Sequence, residues 1–286
     1  MSPVLFNQIM HFLSRHFEVL PLEEICFNRP ETKKPQVAIT FDDGYRDYLD
    51  YALPTLKKYG FHSSMFVVTD CVDNNTPTWT YVMDTVFFNT KRLEIPRRNY
   101  GKGYEAFELF KWRNKEEQLA YCRKFKQALK KMDNAEREKI IKYFRECFDD
   151  AAVPGNIMMS WDDLRSLKNE PVEIGSHSIS HPPLATIENE TLLEHEIRKS
   201  GEIIQSQLGY FPVTISYPVG SYDRRVMETA KRSGYKIGLA LRQKKFNPDK
   251  DDLFEVPRLE LYNDSFFRNV IKLYGIETAI KSLIRR

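Results

Sequence analysis

With 286 residues, 42% of them hydrophobic and 29% charged, the chain has the composition of a folded protein with a sizeable core rather than a disordered or fibrous one. A formal net charge of +3 is too small to point to nucleic acid or another polyionic partner. Cys26, Cys71, Cys122 and Cys147 form no C-x-x-C pair and no dense framework, and read as free thiols.

The opening stretch, "MSPVLFNQIMHFLSRHFEVL", lacks the basic start and continuous apolar core of a signal peptide. No apolar run approaches the ~20 residues of a membrane span. The chain therefore reads as cytoplasmic, unless its natural N-terminus is missing. Val4, Leu5, Ile9, Phe12 and Leu13 recur at helical spacing and predict a helix over residues 3–15. A short strand and turn follow in "FEVLPLEEI", then a strand over 37–41, a helix over 47–59 and a strand over 63–68 that the polar run "TDCVDNNTPT" ends.

Residues 72–156 break this alternation. They read as a helical insertion, with helices near 81–89, 115–132 and 135–148, closed by "AAVPGN". Residues 91–148 carry 17 Lys/Arg against 9 Asp/Glu. Such a surplus is either a set of solvated helix faces or a surface for an anionic glycan or membrane face. Alternation then resumes with a helix over 161–167, strand 172–176, helix 189–208, strand 213–216, helix 223–233 and strands 236–240 and 254–259. Two short C-terminal helices, interrupted at Gly275, are amphipathic and basic. They suit docking onto the body of the fold or peripheral membrane contact. Strands alternating with helices predict a parallel sheet, open or closed into a barrel, in one domain spanning residues 1–286.

In either arrangement functional residues gather at the carboxyl ends of the strands, and three polar clusters fall there. Asp42 and Asp43 end the strand in "QVAITFDDGY"; two adjacent acids at a buried strand end repel each other and resist desolvation. His177 and His181, four apart in "SHSISHPP", lie in a turn that Pro182 and Pro183 keep from extending as a helix. The third cluster is "YPVGSYD". The histidines are either two polar loop residues or, with a carboxylate, a ligand set for Zn²⁺ or a related ion with open coordination positions. An ion so held polarises a carbonyl and acidifies water. One acid of the pair would then bind the ion and the other take a proton.

"TFDDG", "SHSISH" and "YPVGSYD", in this order, resemble the polysaccharide deacetylase family, with the NodB-homology (carbohydrate esterase family 4) fold, over about residues 36–260. The Tyr217–Pro218 form resembles the family's exopolysaccharide-associated branch. The resemblance implies a distorted (β/α) barrel, here with its first strand absent as one alternative. It implies Asp42 as general base and Asp43, His177 and His181 as metal ligands, usually for Zn²⁺ and sometimes Co²⁺, Ni²⁺ or Mn²⁺. It further implies removal of acetyl groups from an N-acetylated glycan.

Many members carry an arginine where Ser216 stands and an aromatic residue where Val219 stands. Val219 can still offer its backbone N–H to an oxyanion, and Arg258 in "VPRLEL" is the candidate to orient Asp42. The family's acid histidine near the C-terminus has no counterpart, because no histidine follows His195. His11 and His16 are candidates by proximity to the N-terminus alone; these two and His195 otherwise read as helix-surface residues. Trp79 and Trp161 can stack on sugar faces, or Trp161 can pack its own helix. The alternatives to an active deacetylase are a catalytically impaired glycan-binding relative and a metal-dependent hydrolase of a non-sugar amide.

Overall fold

A computed structural model describes residues 1–28 and 30–275. Its frame is a series of parallel strands. β1 (Glu18–Val19) pairs with β2 (Gln36–Val37). β3 (Thr40–Phe41), β4 (Ser63–Val67), β5 (Val172–Ser176), β6 (Thr214–Ser216), β7 (Ile237–Ala240) and β8 (Val256–Pro257) then lie side by side in chain order. Six parallel neighbours, joined through helices except between β7 and β8, curl into a half-barrel, and all their carboxyl ends share one rim.

The expected strand over 37–41 divides because it serves two partners. The Val37 carbonyl accepts from the Leu20 N–H beside β1, whereas the Ile39 carbonyl accepts from the Ser64 N–H of β4. The strand expected over 254–259 shortens to two residues. Pro257 has no N–H to extend a ladder and sits on an edge strand, where that loss is tolerated. The run expected only to end β4 instead contains a helix, Thr69–Asn74, and the helix expected over 47–59 opens as a wide π-type turn, Tyr48–Ala52, before Leu53–Tyr59. The first C-terminal helix is Phe266–Leu273, with Phe266 against Phe12 of the N-terminal helix Pro3–His16. The second lies outside the described residues.

Half-barrel and insertion have separate cores. Leu22, Cys26, Phe66, Ile237, Leu239 and Val256 form one small cluster, while Leu5, Ile9 and Leu13 of the N-terminal helix pack with Leu56, Met65, Val67 and Ile174 in the largest. The insertion between β4 and β5 carries helices Trp79–Asn89, Lys115–Leu129 and Asn134–Cys147. They close on an aromatic core of Phe87, Trp112, Tyr121, Phe125, Phe144 and Phe148. Each such buried ring contributes about 2–3 kcal/mol. Asn114 and Asp133 cap two of these helices, accepting backbone N–H groups of the first turn. All four cysteines are free. No helix among the described residues is long and apolar enough to cross a membrane.

Candidate active site and metal centre

The acidic pair leaves β3 at the rim. Asp43 has φ 75° and Gly44 has φ +88°. A Cβ on Gly44 would meet Val67 Cγ1 at 3.3 Å, so glycine lets the turn lie close against β4.

The histidine turn leaves β5 one strand further on. It is laced to the end of β4: the His177 N–H donates to the Val67 carbonyl (2.9 Å), and the Asp70 N–H donates to the Ile179 carbonyl (3.0 Å). Glu196 braces it from the helix behind. Its carboxylate accepts the Ile179 and Ser180 N–H groups at 3.0 Å each and the Ser180 hydroxyl at 2.6 Å. Ser178 (φ 65°) and His181 (φ 60°) fold the turn back on itself, leaving the two imidazole centroids 5.0 Å apart. Of the six described non-glycine residues with positive φ, four are Asp43, Ser178, His181 and Val219 (φ 50°). Left-handed backbone is costly for a β-branched residue such as valine, and its concentration on this rim is the kind of strain that functional sites store.

These loops bring Asp43, His177 and His181 together, with candidate ligand atoms within 4.8 Å of one another. Asp43 Oδ1 lies 3.5 Å from His177 Nε2 and 3.4 Å from His181 Nε2, and it is buried without a hydrogen-bond partner. A tetrahedral ion with ~2.05 Å bonds sets its ligand atoms about 3.3 Å apart, so these residues fit a divalent cation. The protonation states agree. The Ser216 carbonyl can only accept, so His177 Nδ1 at 2.7 Å carries the hydrogen and Nε2 presents its lone pair toward Asp43. Burial holds His177 below the usual histidine range, and burial with the neighbouring His177 holds His181 well below it. Both are thus neutral imidazoles. Burial and the Asp42 charge push Asp43 up to about 7, against the opposing pull of Arg258. A bound cation would be a partner for this carboxylate.

Asp42 has the opposite environment. Burial pushes its carboxyl up, but the Arg258 guanidinium and its hydrogen bonds outweigh that and hold it well below the usual range. Arg258 Nη1 and Nη2 donate to Asp42 Oδ1 and Oδ2, both at 2.8 Å, in a bidentate fork. Arg258 Nη2 also donates to the Ser216 hydroxyl at 2.9 Å. Ser216 thereby links the two halves of the site, its carbonyl on His177 and its hydroxyl on Arg258. Two adjacent carboxylates are driven apart in proton affinity, one firmly ionised and one titrating near neutrality.

The polysaccharide deacetylase sequence pattern matches residues 29–238. The chain belongs to the polysaccharide deacetylase family. By family it is a hydrolase acting on non-peptide carbon–nitrogen bonds. Solved structures with the same fold include the deacetylase PplD of Streptococcus pyogenes in complex with acetate (17% identity, TM-score 0.60, covering 94% of this chain and 85% of that one). IcaB from Ammonifex degensii is similar at 17% identity and TM-score 0.61, over 96% of this chain and 89% of that one. The deacetylase domain of BpsB from Bordetella bronchiseptica is similar at 18% identity and TM-score 0.57, over 88% and 83%. No protein of curated function matches the sequence significantly.

In this polysaccharide deacetylase the arginine expected at position 216 is replaced by serine, and the guanidinium on Asp42 arrives from just beyond β8 instead. Trp79 and Trp161 are 5% and 9% exposed, too enclosed to stack on a sugar. Trp161 donates to Asp73 Oδ1, and Trp79 Nε1 donates to the His181 carbonyl. His11, His16 and His195 are surface residues. Glu196 and Arg137 are absent from the site expected of the sequence, yet a signal was there. Glu196 sits beside Leu193, Ile197 and Ser200, and Arg137 beside Ile140, Ile141 and Phe144, each at helical spacing on the apolar stripe. A charge on that stripe is buried by design or not at all.

Proposed function

We propose that this chain is a metal-dependent N-deacetylase that removes acetyl groups from N-acetylated sugars of a polysaccharide or oligosaccharide. The observation that carries the reading is the buried, unpartnered Asp43 Oδ1 facing two neutral imidazoles, with the ionised Asp42–Arg258 pair beside it. Asp43, His177 and His181 would hold the ion, Zn²⁺ by the chemistry of the donor set, with Co²⁺, Ni²⁺ or Mn²⁺ as substitutes. When bound, such an ion polarises the amide carbonyl and acidifies water.

The remaining chemistry belongs to the chain. Asp42 stays ionised at neutral pH and is aimed by the guanidinium fork, so it accepts a proton from the attacking water. Ser216 keeps that fork and the His177 ring in register. The backbone at Val219, held in its left-handed turn by Pro218–Gly220, offers an N–H to the developing oxyanion.

The test is acetate release from N-acetylated chitooligosaccharides by metal-stripped protein, before and after Zn²⁺ is restored. Turnover should appear only with the ion and should vanish in Asp42→Asn with metal binding retained. Turnover that survives EDTA, or that Asp42→Asn leaves intact, contradicts the reading.

A further inference from the structure

The insertion reaches the metal turn at a specific atom. Trp79, at the start of the helix Trp79–Asn89, donates its indole N–H to the His181 carbonyl at 3.0 Å, a bond buried between residues 102 positions apart. On the other side, the His181 N–H donates to the Ser178 hydroxyl at 3.1 Å. Both main-chain polar groups of a residue with φ 60° are therefore fixed, one from within the turn and one from the insertion.

The indole is itself clamped. The Arg137 guanidinium lies 5.2 Å from the centre of the Trp79 ring and is fully buried, at 0% exposure. Arg137 Nη1 donates to the Met132 carbonyl at 3.4 Å and Nη2 donates to Asn134 Oδ1, while Nε is buried with no hydrogen-bond partner. Its counter-charges, Glu138, Asp133 and Glu196, act through space. Burying a guanidinium without a contacting carboxylate is costly. The insertion's own aromatic core is built around Phe87, Phe125 and Phe144, without Arg137. What the arrangement does provide is a cation over the face of one tryptophan, whose N–H ends on a metal-ligand residue.

We propose that Trp79 and Arg137 are positioning residues for the metal centre: the insertion, through the clamped indole, holds His181 in the left-handed backbone that turns its Nε2 toward Asp43. The proposal rests on the metal reading above and extends it, because it makes the insertion part of the metal site. Outer partners that orient a metal ligand are worth 10–100-fold in metal affinity.

Trp112 supplies the control. It is also a buried indole of the insertion, 2% exposed, but its Nε1 has no hydrogen-bond partner and it packs only within the aromatic core. Zn²⁺ affinity is measured on the full chain by competition with a chromogenic chelator for wild type, Trp79→Phe, Arg137→Met and Trp112→Phe, with melting temperature recorded for each metal-free protein. Trp79→Phe and Arg137→Met should weaken Zn²⁺ binding about tenfold or more. Trp112→Phe should stay within about twofold of wild type at a comparable loss of melting temperature. The proposal is overturned if Trp79→Phe and Arg137→Met both bind Zn²⁺ as wild type does, or if Trp112→Phe weakens binding as much as they do. Where Trp79→Phe fails to fold, Arg137→Met, which keeps the indole, decides alone. A wild type that binds no Zn²⁺ removes the metal reading and this inference together; tight binding by wild type with unaltered variants removes this inference only.

Discussion

Replacing Asp43 with asparagine in the metal-stripped protein should stabilise it, by an amount that depends on pH in a calculable way. Asp43 rises from an ordinary carboxyl value of 3.8 to about 7 through burial and the Asp42 charge. Each pH unit of that difference is worth ~1.4 kcal/mol, so ionising Asp43 in the folded, metal-free chain costs up to about 4 kcal/mol. Because the folded state holds this proton more tightly than the unfolded one, the associated stability is fully present below about pH 4 and lost as pH rises through about 7. His177 and His181 act in the opposite sense. Their folded values lie below 6.5, so the unfolded chain takes up their protons first and stability falls as pH drops. The wild-type profile mixes both effects; the difference between Asp43→Asn and wild type cancels the histidines. In urea unfolding with EDTA, Asp43→Asn should be more stable by about 4 kcal/mol at pH 8 and by less than about 2 kcal/mol at pH 5. Saturating Zn²⁺ should reverse the order, since only wild type gains from tight binding. A variant no more stable than wild type at pH 8, or an advantage that does not change with pH, would refute this account of the carboxylate.

Arg258→Ala strands the Asp42 carboxylate that the fork now holds at 2.8 Å. It should cost about 3 kcal/mol in chemical denaturation, the lower end for a buried pair because Asp42 keeps 29% side-chain exposure. Arg258→Lys should recover part of that loss but not the two-point geometry, leaving acetate release depressed. Glu196→Gln weakens the brace on Ile179 and Ser180, and Zn²⁺ affinity by chelator competition should fall roughly tenfold while the α/β circular dichroism is kept. Zn²⁺ affinity should also decline about tenfold per pH unit below about 7, where the ion must displace a proton from Asp43. A flat profile from pH 7 to 6 would contradict that value.

The strand-end acids and the histidine turn were legible because each motif is local, a few residues whose spacing already carries the chemistry. Asp43, His177 and His181 need only one parallel sheet to bring them together, and alternating strands and helices announce such a sheet. The partner of Asp42 is a harder matter. Arg258 is more than two hundred residues away, and its arrival depends on β8 closing the row of strands, so "VPRLEL" alone supports a candidate but no contact. Ser216 stands where many members carry an arginine, and it acts through a carbonyl and a hydroxyl on two different partners, a role no substitution pattern displays. The place of Trp79 is hidden for a related reason. An aromatic residue near a glycan site suggests stacking, but its burial under Arg137 is set by how the insertion folds back on the rim. Glu196 and Arg137 lie where helical periodicity calls for apolar residues, and a buried charge is the one irregularity in those stripes.

Deacetylation should depend on an ion held by Asp43, His177 and His181. Zn²⁺ content and acetate release measured together on wild type and His181→Ala test it most directly. Wild type should carry about one ion per chain and release acetate from an N-acetylated oligosaccharide, and His181→Ala should lose both. A His181→Ala chain that keeps its ion and releases acetate at the wild-type rate would contradict it.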